Sequence, residues 1–128
     1  MKALLDTHLL LWNAGRPDLL SAEARRIIDS ADSELYFSAA SLWEIAIKAS
    51  LGRSDFSVDA RLLRRGLLDH GFAELPVTSE HAVAIDGLPP IHRDPFDRIL
   101  VAQAKVEGIT LLTSDNTVAR YGGAIQKV

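Results

Sequence analysis

The chain has 128 residues, 48% hydrophobic and 24% charged, with a formal net charge of −3 at pH 7. That apolar content suffices for one complete core, so a single domain over residues 1–128 is expected, folding without staples. There is no cysteine, which excludes a disulfide framework and a thiolate zinc site, and the mild negative charge excludes a uniformly basic surface of the kind that coats nucleic acid.

In chain order, the opening MKALLDTHLLLW has an apolar run broken by Asp6 and His8, which suits neither a signal peptide nor a membrane span of about 18 residues. A soluble, unprocessed, cytoplasmic chain is the expectation. Ala3 to Leu5 reads as a strand without polar alternation, as a central strand covered on both faces does. A short THLLLW helix follows Asp6. Ser21 can cap a helix to about Ala31, with Ala24, Ile27, Ile28 and Ala31 along one face. Leu35 to Phe37 forms a second strand, and a helix from near Ala40 to Leu51 stops at Gly52. A further helix over roughly Val58 to His70 stops at Gly71, its arginine-rich side facing water.

Ala73 to Val77 reads as the third strand, and Ser79 caps a short piece ending at Gly87, before the Leu88-Pro89-Pro90 break. Asp94 as cap and Pro95 as first helical residue launch an apolar helix that ends before Gly108. Thr110 to Thr113 is the fourth strand; SDNT and Gly122-Gly123 read as turns before a last strand, Ile125 to Val128. Strands alternating with helices imply right-handed parallel crossovers, hence an α/β fold: a three-layer α/β/α sandwich on a central parallel sheet. Ligands bind such sheets outside the carboxyl ends of the strands, where the strand order reverses.

Four acidic signatures, LLDT, SLWEIAIK, DPFDR and LLTSD, lie where the chain leaves a strand or enters a helix. They put Asp6, Glu44, Asp97 and Asp115 where one sheet edge can gather them. Gathered carboxylates repel by about 4 kcal/mol per close pair in a partly solvated site, which calls for a cation or a proton. Hard ions such as Mg²⁺ and Mn²⁺ select carboxylate oxygens and the phosphates of a substrate. First-turn helix positions, expected for Glu44 and Asp97, keep acids ionised through the macrodipole.

A site of this kind suggests phosphodiester hydrolysis, with Asp6 and Asp97 as direct ligands, Glu44 as a ligand through water or a base, and Asp115 supporting a second ion or a water. Thr7, Ser38, Thr113 and Ser114 are the hydroxyls expected to support them. Each acid also has a local explanation: Asp6 and Asp115 as cap and turn residues, Ser41 with Glu44 and Asp94 with Asp97 as capping boxes, and Glu44 as partner of Lys48. Arginines cluster at Arg25-Arg26, at Arg61, Arg64 and Arg65, and at Arg93 and Arg98, as basic stripes or as ordinary solvated faces.

At these residues the chain resembles the PIN-domain family and, within it, VapC-type ribonuclease toxins of bacterial toxin-antitoxin operons. LLDT, the stretch Ser38 to Lys48 containing WEIAIK, HRDPFDRILVAQA from His92 to Ala104, and LLTSD occur in the family's order and spacing over essentially the whole chain. The resemblance implies that Asp6, Glu44, Asp97 and Asp115 are the family's acidic quartet, with Mg²⁺ (or Mn²⁺) as cofactor and RNA as substrate. Asp94 belongs to the same string and is the expected helix cap. A cognate antitoxin and a homodimer are also implied, with Trp12, Trp43 and Leu9 to Leu11 as candidate contact surfaces or plain core. The four histidines are scattered, as solvated or structural residues are. A phosphoacceptor domain would need an Asp after the third strand and a Lys after the fifth, and the chain has neither. A non-catalytic RNA-binding or assembly module on the same fold is the remaining alternative.

Overall fold

A computed structural model describes residues 1–128. Five strands, β1 (Lys2–Leu5), β2 (Glu34–Ser38), β3 (Ala73–Leu75), β4 (Thr110–Thr113) and β5 (Ile125–Lys127), form one sheet in the order β3-β2-β1-β4-β5. Every pairing is parallel. The α-helices are α1 (Thr7–Gly15), α2 (Ala22–Asp29), α3 (Ala39–Ser50), α4 (Ala60–Asp69), α5 (Ser79–Ala84), α6 (Pro95–Glu107) and α7 (Asn116–Ala119). None is long and apolar enough to cross a membrane.

The central position of β1 explains its uniformly apolar sequence. Ala3 and Leu5 point into one core with Leu9, Leu10, Ile27, Phe37, Ile45, Leu63 and Leu67, while Leu4 points into the other with Leu100, Val101, Ala104 and Leu111. Side chains alternate across a strand, so both halves of β1 need apolar residues once helices cover both faces. The layers are therefore α1 to α4 on one side and α5 to α7 on the other, the expected α/β/α sandwich. Leu9, Leu10 and Leu11 are buried and belong to the core, so they offer no contact surface. Trp43, in contrast, is 63% exposed.

Several element ends differ from expectation for identifiable reasons. β3 stops at Leu75 rather than Val77, because Pro76 has no N–H for the ladder. Thr78, not Ser79, caps α5: its hydroxyl accepts the His81 N–H at 3.3 Å and its own N–H donates to His81 Nδ1 at 3.0 Å. α2 ends at Asp29 rather than about Ala31, and α4 begins behind the Asp59 cap at Ala60 rather than at Val58. Ser38 caps α3, accepting the Ala40 N–H at 3.0 Å, so the helix starts before Ser41. Glu44 consequently sits in the second turn, outside the first-turn reach of the helix dipole, and Ser41 and Glu44 form no capping box.

α6 behaves as expected. The Asp94 carboxylate accepts the N–H groups of Phe96 and Asp97 at 2.9 and 3.2 Å, Pro95 opens the helix, and Asp97 lies in its first turn. At the far end Gly108 adopts φ +68°, letting the Ile109 N–H reach back to the Ala104 carbonyl at 3.1 Å.

Candidate active site

The strand order turns at β1, with the chain running outward through β2 and β3 and then crossing to β4 and β5 on the other side. The crevice at such a reversal is where ligands enter parallel sheets. Here it opens as a pocket of about 330 Å³ whose lining includes Asp6, Glu44, Asp97 and Asp115, together with Lys48 and Asp94. All four acids singled out from the sequence thus meet at one edge. They arrive from four elements: the end of β1, the second turn of α3, the first turn of α6, and the step from β4 into α7.

Each carboxylate is held by local chemistry. Asp6 caps α1, Oδ1 accepting the Leu9 N–H at 2.9 Å, while Oδ2 accepts the Thr113 hydroxyl at 2.5 Å. Thr113 in turn accepts the Asp115 N–H at 3.0 Å, so one hydroxyl at the end of β4 ties the two strand-end acids together. Asp115 caps α7 through Oδ1, which accepts the N–H groups of Thr117 and Val118 at 2.7 and 3.2 Å. The SDNT stretch is therefore a helix start rather than only a turn. Glu44, 3% exposed, accepts the Thr7 hydroxyl on Oε1 at 2.6 Å and the Lys48 ammonium on Oε2 at 2.5 Å. Asp97 accepts from His92 Nε2 on Oδ2 at 3.0 Å.

The electrostatics record the crowding. Burial pushes the Asp6 carboxyl above the usual range, against the hydrogen bonds from Thr113 and Leu9, and Asp115 adds to the rise. Asp97 is pushed up to about 6, first by burial and then by the neighbouring charges of Asp94 and Glu44, with His92 opposing. Two carboxyls raised by desolvation and by other acids mark a site short of positive charge. Lys48 is the lysine lining the pocket, and no arginine lines it.

The donor set fits a hard divalent cation by chemistry: carboxylate oxygens, no sulfur, and a deficit of positive charge. No group of three acidic or histidine side chains converges on one point; Thr113, Lys48 and His92 each hold one of the acids. Asp97 and Asp115 keep one oxygen each outside the protein's own hydrogen bonds, whereas both oxygens of Asp6 and Glu44 are engaged. An engaged carboxylate oxygen retains a second lone pair for a ligand.

Of the expected supporting hydroxyls, Thr7 and Thr113 bond directly to the acids, Ser114 lines the pocket, and Ser38 serves only as the α3 cap. Two of the scattered histidines belong to the site. His8 lines the pocket, and His92 bonds both Asp97 and Tyr121. The sequence signal for His92 is its place at the head of the HRDPFDR string, two residues before the Asp94 cap. Arg98 is no free member of a basic stripe: it donates to the Pro89 carbonyl at 3.0 Å and to the Tyr121 hydroxyl at 2.8 Å. Arg61, Arg64 and Arg65 are exposed on α4, as expected.

Comparison with known proteins follows the same lines. A family model described as PIN domain matches residues 3–124. Ribonuclease VapC22 of Mycobacterium tuberculosis is 32% identical over 120 residues, covering 92% of this chain and 90% of that protein. VapBC2 from Rickettsia felis, solved bound to a DNA fragment from its promoter, is similar with a TM-score of 0.72 at 13% identity, covering 99% of this chain and 98% of that one. A toxin-antitoxin complex from Klebsiella pneumoniae has a TM-score of 0.67 at 17% identity, covering 97% and 95%. At those identities the likeness to the two solved structures is one of fold.

Proposed function

The chain belongs to the PIN-domain family, in its VapC-type branch, and from that premise we propose that residues 1–128 form one nuclease domain, a divalent-metal-dependent endoribonuclease restrained by a cognate antitoxin. The observation that carries the reading is the meeting of Asp6, Glu44, Asp97 and Asp115 around one pocket at the strand-order reversal. Asp6 and Asp97 are the direct holders of Mg²⁺ or Mn²⁺, with Asp115 supporting a second ion or a water. When bound, such a cation supplies charge neutralisation at the phosphate and a lowered pKa for the attacking water.

The residues of the chain do the rest. Glu44 holds the cation through water or takes the proton of the attacking water, and the Lys48 ammonium donates to its Oε2. Thr7 orients the other oxygen of Glu44. Thr113 fixes the spacing between Asp6 and Asp115 by bonding the carboxylate of one and the backbone of the other. Asp94, acting as helix cap, directs the first turn of α6 so that Asp97 faces the pocket.

Two apolar surfaces support partners. Leu62, 63% exposed, borders a cleft of about 490 Å³ formed by the end of α1 and by α4. Trp43 meets Phe96 edge to face at 5.4 Å and borders a second cleft of about 450 Å³ near the acidic pocket. Exposed apolar patches of this kind mark interaction sites. Two separate patches suit two partners, the antitoxin and a second copy of the chain. The antitoxin draws further support from relatives whose solved forms are toxin-antitoxin complexes.

The test is cleavage of single-stranded RNA by the purified chain. Products are expected with Mg²⁺ or Mn²⁺, none after chelation, and a loss of about 10²–10⁴-fold for Asp6→Asn, the several kcal/mol that a metal contributes to the transition state. RNA that is bound but left intact with every divalent ion would instead establish the non-catalytic module.

A further inference from the structure

The geometry points to a directed hydrogen-bond chain, Arg98 to Tyr121 to His92 to Asp97, that makes His92 the positioning residue of Asp97. The inference deepens the proposed function, since it takes Asp97 as a cation ligand. Its direction follows from counting protons. A guanidinium only donates, and Arg98 donates to the Tyr121 hydroxyl oxygen at 2.8 Å. Tyr121 then has one proton to give and two acceptors in reach, His92 Nδ1 at 2.8 Å and the His92 carbonyl at 3.5 Å. The carbonyl is at the limit of a hydrogen bond and is the longer of the two contacts. The proton goes to Nδ1.

A ring nitrogen that accepts carries no proton, so the His92 proton sits on Nε2, which faces Asp97 Oδ2 at 3.0 Å. The imidazole is thus held in the orientation and tautomer that donate to Asp97. With Oδ2 held in this way, Oδ1 is the oxygen outside the protein's own hydrogen bonds. The contact is shielded, His92 and Asp97 side chains being 20% and 25% exposed. Tyr121 comes from beyond α7, so its ring, 5.4 Å from that of His92, locks the loop before α6 against the C-terminal part of the chain. The HRDPFDR string becomes intelligible as a unit: His92 orients Asp97, Asp94 caps the helix, Pro95 opens it, and Arg98 polarises the tyrosine that sets the histidine. Ligating carboxylates owe much of their metal affinity to such outer partners, removal of which costs about 10–100-fold.

Two readouts on the full chain test this. In the metal-free protein, at a pH high enough to keep imidazoles neutral, nitrogen-15 NMR of His92 is expected to show an unprotonated Nδ1 and a protonated Nε2, a signature lost in Tyr121→Phe, which keeps the ring and removes only the hydroxyl. In a calorimetric Mn²⁺ titration, His92→Ala is expected to weaken binding by about 10–100-fold, with His92→Gln, whose amide N–H can replace Nε2–H, recovering most of it. A proton on Nδ1 of the neutral imidazole in the wild-type chain overturns the inference. So does a folded His92→Ala, verified by circular dichroism, that binds Mn²⁺ as tightly as wild type. A wild-type chain that binds no Mn²⁺ removes the metal reading itself, and the nitrogen signature then decides the hydrogen-bond chain by itself.

Discussion

Asp97→Asn is expected to lower divalent-dependent RNA cleavage by about 10²–10⁴-fold while raising the melting temperature of the metal-free chain. The first effect follows from loss of an anionic ligand. The second follows from the carboxyl's raised pKa. Its folded value of about 6 lies above the ordinary 3.8, so the native chain binds more protons than the unfolded one between those values. The contribution of Asp97 to metal-free stability is therefore full below about pH 4 and is lost as pH rises through 6. The gap corresponds to at most about 3 kcal/mol, and a side chain one-quarter exposed to screening solvent keeps about 1–2 kcal/mol of it.

Asparagine removes that penalty and can still accept from His92, which predicts a gain of about 3–8 °C at pH 7 for a chain of this size. At pH 4 the gain should vanish. Thermal melts of both proteins at the two pH values check this. A lower melting temperature for the variant at pH 7 would mean that the favourable first-turn helix position of Asp97, about 0.3–1 kcal/mol, outweighs the crowding.

Lys48→Met is expected to destabilise the metal-free chain by about 2–4 kcal/mol in urea denaturation. Glu44 is almost wholly buried, and Lys48 is its counter-ion at 2.5 Å, with the ammonium also 4.7 Å from the centre of the Phe56 ring. Removing one partner of a buried pair leaves an uncompensated charge, a loss of about 3–5 kcal/mol in full burial, reduced here because Lys48 remains 21% exposed. Glu44→Gln combined with Lys48→Met should recover most of the loss. Mn²⁺ should stabilise Lys48→Met more than wild type, since a cation at Glu44 then meets no resident ammonium. A variant as stable as wild type without metal would show that the Glu44–Lys48 pair contributes no net stability.

The alternation of strands and helices was legible because the fold buries β1 on both faces and because Gly52, Gly71 and Gly108 stop helices at positive φ. Asp97 was legible for a local reason: Asp94 and Pro95 define where α6 begins, and the third helical residue follows. Glu44 was placed a turn too early, since Ser38 and Ser41 are both competent caps and only the end of β2 decides between them. α7 was hidden inside a turn signal because four residues carry no periodicity. His92 escaped because its meaning lies in Tyr121, 29 residues away, a contact that no spacing pattern encodes. Residues that act through local backbone geometry can be read from sequence; those that act through a tertiary partner need the fold.

Anomalous diffraction from crystals grown with Mn²⁺ locates the cation, if the acids hold one. A peak is expected in the acidic pocket, bound by carboxylates of Asp6 and Asp97, with Glu44 and Asp115 around it. A pocket that stays without a peak at saturating Mn²⁺, or a peak bound by other residues, would contradict it.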